Sequence, residues 1–268
     1  MNIYKRIHTE LNRLGLDNLN SRPYDCAHSV IEQPQINKKL IVVGFNGSDA
    51  DLVWTNKKAI LHGEKNPNIS NVIHGANGGW LSTTLPKRLL DLSEELGFIA
   101  DSTIYTNAVL LCSENAHAIK KKAKAVGFCG VNELIEKSLD FFENITVKES
   151  MPDLIVAYSN SMNDISAASV LFERFSVTDM SITNHSNYYK TFSFTAEIDS
   201  RKIPVVCIRH LSRFKPCLNS IKSAWEIQKK KNIVHDLLIE APLANEENKM
   251  IPPENSKVLD EDAFLTKD

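Results

Sequence analysis

Four β-branched stretches, spaced along the chain and each ending in a short polar run, constrain this sequence more than any other feature. They are Leu40 to Val43, Ser102 to Tyr105, Leu154 to Ala157 and Ile203 to Ile208. Amphipathic helical spacing separates them. Short apolar β-branched runs alternating with helices are the pattern of a layered α/β domain with a parallel sheet. The expected fold is therefore α/β, a three-layer α/β/α sandwich around a central four-stranded, mainly parallel sheet. In such a sheet, ligands bind beyond the carboxyl ends of the strands. Those ends here read Gly44-Phe45-Asn46-Gly47-Ser48-Asp49, Thr106-Asn107-Ala108-Val109-Leu110, Tyr158-Ser159-Asn160-Ser161 and Arg209-His210-Leu211-Ser212-Arg213. Amides, hydroxyls, an imidazole and a glycine turn thus fall where a functional rim belongs.

The helices are legible from spacing. Residues 2 to 15 place Ile3, Ile7, Leu11 and Leu14 on one side. A helix from about Pro86 to Gly97 turns Leu85, Leu89, Leu92 and Leu96 inward, and Gly97 suits its stop. The lysine-rich stretch after the second strand has helical character. Residues 131 to 144 carry Val131, Leu134, Ile135, Leu139 and Phe142 on one face. Further helices are expected from Asp164 to Phe175 and from about Ser220 to Leu238. Residues 45 to 79 read as an irregular, glycine-containing stretch, and long loops inside compact domains are often functional. Residues 176 to 193 read as a hairpin or a flexible loop. From Ala241 to Asp268 seven acidic and three basic residues make a polar, acidic, loosely ordered tail, leaving residues 1–240 as a single domain.

Composition narrows the function classes. Of 268 residues, 43% are hydrophobic and 24% charged, ordinary for a globular protein. No apolar run approaches the roughly 20 residues that a membrane helix needs. The N-terminal Met1 to Ile7 has positive charge but no apolar stretch behind it, so no secretory signal is expected and a cytoplasmic location is. The five cysteines are scattered and form no C-x-x-C pair, which fits reduced thiols rather than a zinc or iron–sulfur site. A net charge of −2 argues against binding nucleic acid by bulk charge alone, but leaves room for a local basic strip. Lys120, Lys121, Lys122 and Lys124 form one cluster, the expected solvated helix face. Arg209, Arg213 and Lys215 form another, which touches a rim loop.

Taken in order, the strand ends resemble the uracil-DNA glycosylase superfamily, over roughly residues 38 to 235. Gly44-Phe45-Asn46-Gly47 resembles its first motif, G-x-[D/N]-P. Asn107-Ala108-Val109-Leu110 resembles its strand-end Asn, and His210-Leu211-Ser212 its closing His-Pro-Ser motif. His74-Gly75-Ala76-Asn77-Gly78-Gly79-Trp80 is similar to the N-x-F-W segment of the mismatch-specific and thymine-DNA branch. The resemblance implies a monofunctional DNA glycosylase that hydrolyses the N-glycosidic bond of a flipped-out damaged or 5-modified pyrimidine. Uracil or a bulky modified cytosine, of the kind found in phage DNA, is the implied base. No cofactor or metal is implied, the partner is DNA, and a monomer is expected.

The chemistry fits the residue types. Cleavage puts negative charge on the leaving base, which must first be flipped from the helix. His210 can donate a hydrogen bond to that charge. Asn107 carries a donor and an acceptor on one plane and can read a pyrimidine edge. Asn46 can orient water but takes its proton poorly. Asp49 is the nearby carboxylate that Asn46 lacks. Gly44, Phe45, Ser48 and Trp80 complete the implied base-binding set. Ser212, Arg213, Phe214 and Lys215 are the implied DNA contacts, with Phe214 as a wedge. Plainer roles stand beside these: turn-shaping for Asn46 and Ser48, capping for Asn107, packing for Trp54, Trp80, Phe214 and His210, solvated loop acids for Asp49 and Asp51. Two departures from the family pattern bear on the substrate. Ser48 stands where strict uracil enzymes place a bulky aromatic, and Gly79 stands where a base-stacking aromatic belongs, so a pocket larger than uracil needs is implied. An inactive nucleotide- or DNA-binding module of this fold, or a nucleoside hydrolase, is the alternative.

Overall fold

The computed structural model describes residues 3–21, 39–48, 54–65, 84–98, 103–186 and 189–240. The elements in chain order are α1 (Ile3–Leu14), β1 (Asn20–Ser21), β2 (Leu40–Asn46), β3 (Trp54–Thr55), α2 (Asn56–Lys65), α3 (Thr84–Glu95), β4 (Thr103–Val109), α4 (Ala118–Ala125), α5 (Val131–Phe141), β5 (Leu154–Tyr158), α6 (Ala167–Phe175), β6 (Ser181–Ser186), β7 (Tyr189–Ile198), β8 (Arg201–Ile208) and α7 (Leu218–Glu240). A π-helical turn, Phe142–Val147, continues α5.

One six-stranded sheet organises the molecule, in the order β4-β2-β5-β8-β7-β6. The four strands expected from the β-branched runs are its parallel part. The sheet has two strands more than expected, because residues 181–198 add β6 and β7 in antiparallel register on the β8 side. Mixed sheets with antiparallel strands at one edge are common in α/β proteins. With helices on both faces, the α/β/α sandwich stands. A second difference is α2, which occupies part of the stretch expected to be irregular.

The parallel strands read as continuous apolar runs because both of their faces are covered. Alternation along them defines the two layers. One face carries Val42, Tyr105, Val156 and Val206, which share register positions. Over it lie α3, whose Ser93 hydroxyl meets the Tyr105 hydroxyl at 3.0 Å, and α7, whose Trp225 ring packs 5.7 Å from Phe98. The other face carries Val43, Ala157 and Cys207 and is covered by α5 and α6. There Phe172 of α6 meets Phe194 edge-on at 5.1 Å. α1 packs on α2 and α5 with Ile7 and Leu11 fully buried.

Where α7 crosses the antiparallel strands, the interface is polar. Gln228 donates to Ser193 Oγ at 3.0 Å and to Ser181 Oγ at 3.3 Å, and Ser220 donates to Thr191 Oγ1 at 2.8 Å. These side chains satisfy one another, as buried polar groups must. No helix among the described residues is long and apolar enough to cross a membrane. Cys112 and Cys207 are buried, Cys217 is half-buried and Cys129 exposed, all as free thiols; Cys26 and the tail from residue 241 lie outside the described residues.

Candidate active site at the carboxyl edge of the sheet

The parallel register aligns the site. Gly44 pairs with Asn107, and one residue earlier Val43 pairs with Ala157, so Tyr158 follows on the same row. Tyr158 in turn pairs with Ile208, two residues before His210. Asn107, Gly44, Tyr158 and Ile208 therefore cross four adjacent strands on the face covered by α3 and α7. Asn46 lies on that same face, one pleat further out.

The polar runs are thus the last residues of β2 and β4 rather than loops beyond them. Pairing continues to Asn46 and Val109, which draws Asn107 inward until it is 5% exposed. Gly44 is required by close approach. A Cβ there would sit 2.5 Å from Tyr158 Oη and 2.6 Å from both Tyr158 Cζ and Asn107 Oδ1. The phenol from β5 and the amide from β4 reach over β2 and flank the same point.

Asn46 has a determined orientation. Its Nδ2 donates to Ser113 Oγ at 2.7 Å, Gly47 O at 3.1 Å and Leu111 O at 3.5 Å. Ser113 Oγ spends its own hydrogen on Asn115 O at 2.7 Å, so it can only accept from Asn46. The amino side faces the segment after β4, and the carbonyl Oδ1 is the acceptor left for a ligand. Ser113 N donates to Gly47 O at 2.9 Å and ties the two strand ends together.

His210 has a determined tautomer by the same logic. The backbone N–H of Ser212 points at Nδ1 from 3.2 Å, and the Ser212 hydroxyl lies 2.7 Å from the same atom. Nδ1 therefore accepts, and the neutral ring carries its proton on Nε2. His210 is an exposed residue by surface area, yet desolvation by the groups around its ring lowers the imidazole pKa below its ordinary value, and Arg213 lowers it further. The neutral form with an Nε2–H donor is the one that the surroundings favour. The Tyr158 ring meets the imidazole edge-on, centroids 5.5 Å apart at 74°.

The loop after β8 is a tight turn, with the N–H groups of Arg213 and Phe214 both bonded to His210 O. Buried Leu211 anchors it, and Arg88 of α3 donates to Leu211 O at 2.6 Å. Ser212, Arg213 and Lys215 are exposed. Phe214 is half-buried with the Arg209 guanidinium stacked 3.4 Å from its ring centroid, so it is neither a core residue nor a bare wedge.

Asn46, Asn107, Gly44 and His210 thus lie along one edge of the sheet. Phe45 does not. It points to the opposite face, 7% exposed in the core beneath α5 and α6, because strand alternation turns it away from its two neighbours. Its side chain cannot bind a base at this edge. Ser48 is exposed just beyond β2, and half-buried Trp54 lies under Lys58, whose Nζ is 4.9 Å from the ring centroid. Asp49, Asp51, Gly79 and Trp80 lie outside the described residues. Among the described residues no three His, Cys, Asp or Glu side chains gather as a metal site requires. Tyr158 stood in the third rim run with no role of its own assigned, and two participants, Ser113 and Arg88, escaped the sequence reading. The place of Tyr158 at the end of the third parallel strand is the signal that marks it; Ser113 and Arg88 carry none. No family model matches the chain, and no curated protein does.

Proposed function

We propose that this protein is a monofunctional DNA glycosylase that hydrolyses the N-glycosidic bond of a flipped-out damaged or 5-modified pyrimidine, acting on DNA as a cytoplasmic monomer and leaving an abasic site. The observation that carries the reading is the pair of oriented polar atoms at the sheet edge. Asn46 has Oδ1 to offer, and the neutral His210 has its proton on Nε2. One suits a water molecule and the other an oxygen that becomes negative.

In this mechanism the C1′–N bond breaks with its electron pair going to the base. His210 Nε2–H, its tautomer fixed by Ser212, donates to the base carbonyl oxygen on which charge develops. Asn46 Oδ1 accepts a hydrogen from water and aims its lone pair at C1′. The amide does not take the proton, which leaves to solvent as the new C–O bond forms. Asn107, nearly buried beside Gly44, reads the base edge. The exposed Arg213 and Lys215 meet phosphates beside the rim.

The test is excision from duplexes carrying uracil or 5-modified pyrimidines, with abasic sites revealed by alkaline cleavage. His210→Ala is expected to slow release by about 10²- to 10³-fold, the scale of losing one oriented donor to an oxyanion. Asn46→Ala should also be slow. Equal activity in wild type and both variants, or none on any pyrimidine, overturns the reading. Tight binding of DNA without product identifies the inactive-module alternative, and release from free nucleosides without DNA identifies a nucleoside hydrolase.

A further inference from the structure

We propose that Tyr158 is the floor of this pocket and sets how large a base it admits, an inference that rests on the glycosylase reading above. Four observations lead there. Tyr158 shares one register row and one sheet face with Gly44 and Asn107. Its Oη and Cζ occupy the space over Gly44, 2.5 and 2.6 Å from where a Cβ would stand, so the phenol lies across β2 toward Asn107. Its ring also borders His210 at 5.5 Å. The surface formed by Asn107, Tyr158 and His210 is therefore continuous from β4 to the loop after β8.

The remaining machinery stands outside this surface. Asn46 is one pleat further along the same face, and Ser48 is exposed beyond the strand end. A base entering from solvent stops against the phenol, between the amide of Asn107 and the Nε2–H of His210. Ser48 places a small, exposed side chain beyond the strand end, whereas the Tyr158 ring closes the inner side. The pocket so built takes a pyrimidine whose substituent points outward and rejects one whose substituent points toward β2. The phenol hydroxyl adds a polar group to that floor beside Asn107.

The test is single-turnover excision by the full chain across a series of duplexes, with uracil, thymine and 5-hydroxymethylcytosine as the target base. Tyr158→Ala removes the floor. The maximal rate on uracil should fall about tenfold or more while the DNA concentration for half-maximal rate changes little, because the base sinks away from His210 and Asn46. The preference for bulkier bases over uracil should rise by about tenfold, the range in which pocket contacts discriminate. Tyr158→Phe keeps the ring and should restore the wild-type order of preference. If the alanine variant does not melt cooperatively, Tyr158→Leu takes its place with the same expected direction. An active Tyr158→Ala or Tyr158→Leu with the wild-type order of preference overturns the floor while leaving the glycosylase intact, and so does failure of folded Tyr158→Phe to restore the order. No release by wild type from any of these or other pyrimidine duplexes removes the glycosylase reading, and this inference with it.

Discussion

Single side chains carry the sharpest expectations. The lowered pKa of His210 means that the neutral, Nε2–H form persists below the ordinary value of 6.5. The acid limb of the excision rate should therefore fall below that value, and a limb at or above it would contradict the assigned donor. The same shift acts on stability. Between the lowered folded-state value and 6.5, the unfolded chain binds more protons than the folded one, so stability declines as pH drops through that window. Asn46 gives a second expectation. Its amino group faces two carbonyl oxygens and a hydroxyl oxygen already committed as an acceptor. Asn46→Asp turns a carboxylate oxygen toward those acceptors and should cost about 1–3 kcal/mol, read as a lower urea midpoint. An unchanged midpoint would mean that the amide is oriented the other way.

Elements show where local pattern suffices and where it fails. The turn after β8 is held by Leu211 below and by Arg88 from the side. Arg88→Ala should speed amide hydrogen exchange at Arg213 and Phe214, whose N–H groups both point at His210 O, and should lower excision with little change in melting temperature. Unchanged exchange at those two amides would show that Leu211 alone holds the turn. Helices α1, α3, α5 and α6 were legible because each buries an apolar stripe, such as Leu89 and Leu92 in α3. α2 was not, since among its described side chains Ala59 and Ile60 are the apolar ones buried besides Asn56, and Leu61 is exposed. Its anchor is polar: Asn56 Nδ2 donates to Leu16 O at 2.7 Å and Leu110 O at 3.0 Å. Of the two readings of residues 176 to 193, a hairpin or a flexible loop, the structure shows the hairpin of β6 and β7, and the sequence left the choice open for a similar reason. The inward residues of β7 facing α7 are Thr191, Ser193 and Thr195, buried through hydrogen bonds rather than by being apolar.

Across the whole molecule, the polar seam between α7 and β7 fixes how the last helix lies on the sheet. Gln228 is fully buried and joins Ser193, Ser181 and Thr195. Gln228→Ala strands these partners and should cost about 1–3 kcal/mol of unfolding free energy, with the loss reaching the whole cooperative transition. A midpoint unchanged from wild type would show that the apolar contacts of α7 suffice. The alternation of strands with helices, the parallel core and the polar character of the strand ends were all carried by residues close together in the chain. Such patterns are readable because burial and period act over a few residues at a time. Which side chains meet at the rim was not readable. Phe45 and Asn46 are neighbours that face opposite layers, and Tyr158 fills the space over Gly44 from 114 positions away along the chain. That arrangement depends on strand order and register across the sheet, which arise from non-local pairing and leave no local mark in the residues that they bring together.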